Sequence, residues 1–404
     1  MYDVDLSGVK DMGAVDVAGQ VVLLRADLNV PMDQGRVTDT TRLDRFAPTA
    51  RTLAERGAKV VVLSHFGRPK GQVVPDLSLR AVAGPLATAV GREVDFVETD
   101  WDDVARVSHE IASMAPGDIL LAENTRFHVG EENNDPELAK RMAGLGTLYV
   151  NDAFSCSHRA HASTEGVTHH LASYAGLSLD GEISALRAAL EKPERPVGAV
   201  VGGAKVSTKI PVLTNMIDRV DVLIIGGGMA NTFLHAQGHD VGASLCEPDF
   251  AETARDIMSR AEAAGCRIVL PVDAVVARQF KAGAAHDVVP VSEIPGDAMM
   301  LDVGPDSIAD LRKVVGELKT LLWNGPMGAF EIAPFDAGTN ALAQAAGERT
   351  RAGDLTTIAG GGDTVAALNQ AGVSSQFSYI STAGGAFLEW LEGRELPGIV
   401  ALAT

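Results

Sequence analysis

What most constrains this chain is its rhythm. Short runs rich in Val, Ile and Leu alternate with longer Ala-rich amphipathic stretches. Strands buried on both faces read as continuous apolar runs, and parallel strands need crossover connections, usually helical. The alternation therefore predicts βαβ units and parallel sheets covered on both sides. In the first half the expected strands are 21–24, 59–63, 119–121 and 148–150, with helices over 41–56 and 136–143. In the second half they are 197–201, 222–225, 268–272, 321–323, 355–358 and 377–380.

A chain of 404 residues is too long for one ordinary core, so two domains are expected. The stretch 178–192 carries Ile183, Leu186 and Leu190 on one helical face and stops at Pro193 and Pro196. It reads as a helix between domains, with the boundary near residue 180. The expected fold is α/β: two Rossmann-like domains, each a parallel sheet flanked by helices, joined by an interdomain helix and hinge. The first domain is read as 1–178 and the second as 179–389. The apolar tail, about 390–404, is expected to pack back on the first.

A net charge of −19 argues against general binding to nucleic acid or anionic lipid, which calls for a positive field. With 5% aromatic residues, stacking platforms for single strands are scarce. The opening MYDVDLSGVKDMG lacks the basic and apolar segments of a signal peptide, and no run approaches the ~18 apolar residues of a membrane span. Cys156, Cys246 and Cys266 have no CxxC spacing, so reduced and largely buried thiols are expected. A cytoplasmic protein follows.

What comes after each strand carries the chemistry. In the first half the strands hand over to RADLN, SHFGRP, AENTRFH and NDAFSCSHRAH. Arg42, Arg68, Arg126 and Arg159, with His65, are the basic groups nearest these four strand ends, the edge where α/β sheets hold ligands. Any one of these arginines alone is better read as a surface ion pair. Five basic groups at consecutive strand ends instead predict a positive pocket, because the guanidinium fork suits phosphate and carboxylate oxygens. Asp27 and Asn29, set before Pro31, add an acceptor and an amide suited to a hydroxyl. The implied ligand is a small acid bearing a phosphate, a carboxylate and a hydroxyl. Four of the ten histidines fall at 158–170, but their spacing matches no zinc pattern, and core or loop histidines are expected there.

The second half is punctuated by glycine: GGAKVSTK, GGGMAN, NGPMGAFE, AGGGDT and STAGGA. Neither GxxxxGK[ST] nor GxGxxG opens a helix, so Walker and dinucleotide fingerprints are missing. Several glycine loops after parallel strands, with Lys205 and Lys209, nevertheless predict a main-chain phosphate cradle. The run GGGDT puts Asp363 at a helix start, either as an N-cap or as a Mg²⁺ ligand beside phosphates.

RADLNVP, SHFGRP, ENTRFH, NDAFSCSHRAH, GGAKVSTK, GGGMA, WNGPMGAFE, GGGDT and STAGGA occur in the order seen in phosphoglycerate kinases. The chain resembles that family, in its bacterial type, from Asp16 to about Pro397. The resemblance implies 3-phosphoglycerate on the arginine side and Mg-nucleotide on the glycine side, in a monomer. It implies that Asp27 and Asn29 hold the glycerate hydroxyl, that His65, Arg68, Arg126 and Arg159 grip the 3-phosphate, and that Arg42 faces the acyl-phosphate end. It further implies that Lys205 and Lys209 contact nucleotide phosphates, Lys209 the moving one. Asp363 would carry Mg²⁺, Thr364 the phosphates and Glu331 the ribose. Asn324 and the main chain of Gly361, Gly362, Gly384 and Gly385 would complete the cradle, with Gly361 and Gly384 beside the reacting group.

Two departures stand out. Many members have Asp where this chain has Thr208, and a third Gly where it has Ala383. Thr208 leaves the two lysines four apart, on one face of an expected helix. Ala383 adds a methyl group to a loop expected to pass close to phosphate. The implied reaction is reversible phosphoryl transfer from 1,3-bisphosphoglycerate to ADP, with hinge closure aligning the substrates and excluding water. Both nucleophiles are largely ionised near pH 7, so His65 is read as a binder and not a base. The rival readings are a non-catalytic polyanion-binding relative and a two-domain dehydrogenase, which would need the fingerprint this chain lacks.

Overall fold

The computed structural model describes residues 8–191 and 193–403. The chain forms two compact units, one ending at Ile183 and taking back the chain from Glu395, the other Ser184–Arg394. The first is built on six parallel strands: β1 (Val21–Ala26), β2 (Lys59–Ser64), β3 (Asp95–Val97), β4 (Ile119–Ala122), β5 (Leu148–Asn151) and β6 (Ser173–Ala175). Their order is β3-β4-β2-β1-β5-β6, with Leu23 level with Val61 on one side and Tyr149 on the other. From Val22 onward every residue of β1 is buried, as a sheet covered on both faces requires.

Helix α1 (Thr41–Glu55) shows why. Its Leu43, Phe46, Ala47, Ala50, Leu53 and Ala54 recur at helical spacing and pack with Val22, Leu24, Val60 and Val62 in one core. Burying each of its larger apolar side chains contributes about 1.5–3 kcal/mol. That packing fixes the start of α1, and hence Arg42, over the end of β1. Connections leave β1 toward β2 but reach β5 on the opposite side, so the ends of β1 and β5 form the switch point where a crevice opens. Helix α2 (Leu177–Leu190) carries the chain into the second unit, with Ile183 and Leu186 buried. The side chain of Leu190, Lys192 and the opening stretch through residue 7 lie outside the described residues. Near the end of the chain Leu396, Ile399 and Leu402 are buried, and the Gly398 N–H donates to the Ser157 carbonyl at 2.9 Å.

The second unit carries β7 (Val197–Val201), β8 (Val222–Ile225), β9 (Arg267–Val269), β10 (Thr320–Asn324), β11 (Thr356–Gly360) and β12 (Tyr379–Ser381), all parallel. The order β9-β8-β7-β10-β11-β12 is the doubly wound arrangement, with its switch point between β7 and β10. Val200, Ile224, Leu321, Trp323 and Ala359 belong to its core. Two parallel sheets flanked by helices are thus what the apolar rhythm predicts.

The differences are local. The strand expected over 268–272 stops at Val269, since Pro271 can give no ladder N–H. The chain then enters a three-stranded antiparallel sheet, Asp273–Ala277, His286–Pro290 and Met299–Val303, which the apolar runs do not signal. Strands β3 and β6 are three residues long and partly polar, too short to register as runs. Among the described residues no helix is long and apolar enough to cross a membrane.

Candidate functional site

In the first unit the site is assembled where β1, β2, β4 and β5 end. After β1 the Asp27 Oδ1 accepts from the Asn29 N–H at 3.1 Å, a local turn that aims Oδ2 outward. Oδ2 meets Arg42 Nη1 at 2.6 Å and accepts from the Ser155 hydroxyl. Asn29 Oδ1 accepts from the Gly67 N–H at 2.9 Å, and the Gly67 carbonyl accepts from Arg126 Nη1 at 2.8 Å. Asn29 and Arg126 thereby pin the loop after β2 from both sides of one residue. Arg126 Nε lies 3.2 Å from Glu132.

Beneath these groups lies Arg25, the penultimate residue of β1 and wholly buried. Its Nε donates to Ser163 Oγ at 2.8 Å, its Nη1 to the Ala26 carbonyl, and its Nη2 lies 3.3 Å from His65 Nδ1. Ser163 in turn donates to Glu131 at 2.5 Å, so an unexposed carboxylate balances the buried guanidinium. Burial first, then Arg25, Arg126 and Arg42, hold His65 well below its ordinary value against the pull of Asp27. Its ring is therefore neutral at pH 7. Burial alone would push Asp27 up, but Arg42, Ser155 and the Asn29 N–H outweigh it and keep the carboxyl below the usual range. A neutral His65 lends Asp27 no charge, so the effect rests on Arg42 and the hydrogen bonds.

Asp27, Asn29, Arg42 and Arg126 are thus joined in one network, and His65 enters it through Cys156, whose Sγ lies 3.7 Å from His65 Nδ1 and 3.8 Å from Ser155 Oγ. Arg159 is exposed but close enough to depress Arg126 and His161 by like charge. Arg68 is exposed and has no side-chain hydrogen bond or ion pair among the described residues. Reading strand ends places Arg25 with Asp27 and Asn29 just after the apolar run but gives it no role, and it passes over Ser155, Cys156 and His161 as site residues. Arg25 sits inside an apolar strand, where a lone charge gives no directional signal. His161 is buried among the arginines, and burial with Arg25 brings its pKa down to about 4. Asp27, His65 and Cys156 bring potential metal-ligating atoms within 4.8 Å of one another. Asp27 Oδ2 is engaged by Arg42 and Ser155, and His65 Nδ1 by Arg25, so the trio serves the arginine network.

In the second unit the glycine loops do two jobs. A Cβ on Gly202 would fall 2.0 Å from the Pro326 carbonyl oxygen, and one on Gly325 2.2 Å from that of Gly202. These glycines let the loops after β7 and β10 touch backbone to backbone, which is packing and not ligand contact. The open glycines lie elsewhere. Helix α4 (Gly362–Gln370) and helix α5 (Gly384–Leu391) begin close together, and a Cβ on Gly384 would meet only the Gly362 N, at 4.0 Å. Two helix starts whose first N–H groups have no partner among the described residues make a candidate anion cradle. Gly361 enters α4 at φ +97°, and a Cβ there would lie 2.7 Å from Asn324 Nδ2.

Beside the cradle Lys209 Nζ donates to Asn324 Oδ1 at 2.5 Å, and Asn324 Nδ2 donates to the Gly360 carbonyl at 2.9 Å. Burial draws the Lys209 ammonium below its ordinary pKa, opposed by Glu392 and Asp363. Asp363 is exposed in the first turn of α4. Thr364 is buried, its Oγ1 accepting from the Gly325 N–H at 2.7 Å, so its hydroxyl fastens the neighbouring loop. Lys205 and Glu331 are exposed. The expectation that Lys205 and Lys209 share a helical face is corrected. Helix α3 (Ile210–Ile217) starts after Lys209, and the preceding residues form a turn closed by Thr208 Oγ1 on the Lys205 carbonyl at 2.9 Å. Ala383 has φ −96°, so its methyl group costs nothing there.

These two half-sites can be set beside known proteins. The phosphoglycerate kinase family model matches residues 10–394. The phosphoglycerate kinase of Rhodospirillum centenum is 60% identical over 395 residues, 98% of this chain and 99% of that one. That of Ruegeria sp. is 59% identical over 397 residues, 98% of this chain and all of that one. Among solved structures, phosphoglycerate kinase from Coxiella burnetii superposes with a TM-score of 0.92 at 43% identity, covering 98% of each chain. A second, from Pyrococcus horikoshii, has a TM-score of 0.79 at 27% identity and covers 97% of this chain and 98% of that one. With an arginine pocket on one parallel sheet, a helix-start cradle on the other and full-length matches to both sequences and structures, the chain belongs to the phosphoglycerate kinase family.

Proposed function

We propose that the first unit's arginine network takes 3-phosphoglycerate or 1,3-bisphosphoglycerate and that the second unit's cradle takes the nucleotide. The chain carries out its family's reaction, reversible phosphoryl transfer between 1,3-bisphosphoglycerate and ADP. The observation that carries the substrate assignment is the single network that joins Asp27, Asn29, Arg42 and Arg126 and reaches His65 through Ser155 and Cys156.

In this reading Arg126, Arg159 and Arg68 bind the distal phosphate with His65, while Asp27 and the free amide of Asn29 hold the hydroxyl. Arg42 and Lys209 neutralise charge on the transferring group, and the α4 and α5 N–H groups bind nucleotide phosphates. Lys205 contacts the nucleotide phosphates and Glu331 the ribose. The Asp363 carboxylate is exposed at the cradle with no hydrogen bond or ion pair among the described residues, which fits Mg²⁺, an ion that takes one or two carboxylates beside phosphate oxygens. Mg²⁺ bound there would offset phosphate charge. Because the half-sites belong to separate units, transfer requires closure to bring the substrates in line. The protein acts in the cytoplasm as a monomer.

A coupled assay for ATP formation from ADP and 1,3-bisphosphoglycerate tests the whole reading. Activity should be abolished by chelating Mg²⁺. Tight binding of 3-phosphoglycerate without turnover would instead support a purely binding protein.

A further inference from the structure

We propose that Arg25 is a positioning residue that fixes the tautomer of His65, making it a neutral Nε2–H donor to the substrate. The consequence for binding, but not the hydrogen-bond chemistry, rests on the substrate assignment of the arginine pocket. Arg25 is wholly buried, and its Nε, Nη1 and Nη2 are engaged by Ser163, the Ala26 carbonyl and His65. It has no route to a ligand. Yet its charge is held in place by Ser163 and Glu131 at the cost of burying two ions, which rarely adds stability by itself.

What Arg25 does to His65 follows from hydrogen-bond arithmetic. A guanidinium has five N–H donors and no acceptor. With Nη2 at 3.3 Å, His65 Nδ1 must accept. The other neighbour of Nδ1 is the Cys156 thiol at 3.7 Å, which can donate or accept and so leaves the choice to Arg25. Nδ1 is thus held as an acceptor by the guanidinium, and the imidazole proton resides on Nε2. Which nitrogen carries the proton is set by what the other one bonds.

The charged groups that bear on the ring are Arg25 on β1, Arg42 on α1, Arg126 after β4 and Asp27 after β1. Three cations against one anion, with burial, keep it from taking a second proton. His65 therefore offers one N–H to an acceptor, never a lone pair to a hydroxyl, and does so unchanged across the neutral range. A phosphate or carboxylate oxygen accepts from it more strongly than a neutral hydroxyl oxygen does, because the acceptor is charged. The Arg25 charge thus serves as a selector for anionic oxygen, transmitted through a neighbour.

The test begins on the unmodified enzyme, free of ligand, labelled with ¹⁵N-histidine. Long-range ¹H–¹⁵N spectra, with His65 assigned by its loss in His65→Gln, should show an unprotonated Nδ1 and a protonated Nε2 from pH 5.5 to 8. A proton on Nδ1, or titration of the ring in that range, overturns the proposal without any variant having to fold. The functional arm pairs Arg25→Met with Glu131→Gln, so that no buried carboxylate is left uncompensated. Without the Arg25 donor a proton on Nδ1 is no longer excluded, so both neutral tautomers occur and part of the population turns a lone pair toward the anion. The variant's KM for 3-phosphoglycerate should therefore rise several-fold over the parent's, with kcat nearly flat, and its spectrum should show a mixture of tautomers. Arg25→Gln in the same Glu131→Gln background, which restores an N–H donor, should return both toward the parent's. An unchanged KM overturns the selector role. If His65→Gln leaves KM unchanged while the parent spectrum shows the Nε2 proton, the substrate assignment fails and the tautomer claim stands.

Discussion

At the scale of single residues, the site separates groups that hold from groups that are free to move. Arg42 is over a third exposed and tied by one short contact to Asp27, whereas Arg126 is almost fully buried and bonded to the Gly67 carbonyl. A substrate can draw Arg42 away from Asp27 as charge develops, but Arg126 is already fixed in its ground-state position. Arg42→Ala should therefore lower kcat by roughly a hundredfold or more while changing KM little, as loss of a transition-state donor does. Arg126→Ala should mainly raise KM for 3-phosphoglycerate. Steady-state kinetics on both variants decide it, and matching patterns would remove Arg42 from the transferring group. The exposed arginines at strand ends were legible because a cation there has no packing role. The roles of Arg25 and His161 were not, since a charge next to an apolar run and a histidine in a histidine-rich loop look the same whether functional or structural.

At the scale of elements, main-chain geometry decides which glycines matter. Gly361 enters α4 at positive φ with Asn324 Nδ2 where a methyl group would go, so Gly361→Ala must shift either the helix start or Asn324. Because Asn324 also holds Lys209, nucleotide affinity and kcat should both fall, by about tenfold or more. Ala383→Gly should leave both within a factor of two and lower stability slightly, since φ −96° suits alanine and glycine adds unfolded-state entropy. A family pattern gives the glycine but not its reason, and only coordinates show which glycines face a ligand and which face another loop. Helix α2 makes a second case. Its first turn donates from Ser178 and Leu179 to Asp152 Oδ1 at 2.8 and 3.1 Å, while burial pushes that carboxyl up to about 7. A folded-state pKa above the unfolded one gives stability that is full in acid and lost as pH rises through about 7. Asp152→Asn keeps the acceptor and removes the titration. The stability lost between pH 5.5 and 8, read from urea unfolding, should shrink by ~2 kcal/mol, with Asp302, also near 7, supplying a residual slope.

At the scale of the whole molecule, two units with separate cores each carry half of the chemistry. The parallel sheets were legible because strands buried on both faces have to be apolar throughout. The antiparallel insertion at Asp273–Val303 was not, because its outer strand is mostly exposed and breaks the pattern. This division makes ligand effects separable in space. In each unit the ligand-facing backbone belongs to loops at strand ends, whose N–H groups exchange by local opening and not by global unfolding. A ligand bound to one set of loops lowers that opening directly. 3-Phosphoglycerate alone should slow hydrogen exchange at residues 27–29, 65–71, 126–131 and 155–164, and leave 202–209, 361–364 and 383–386 unchanged. Mg-nucleotide alone should do the reverse. On the closure proposed above, protection in each set with both present should exceed the sum of the single-ligand effects, because a motion that both ligands favour adds a linked equilibrium. Simple additivity would argue that the units act without coupling, and protection of the glycine loops by 3-phosphoglycerate alone would reassign the arginine pocket.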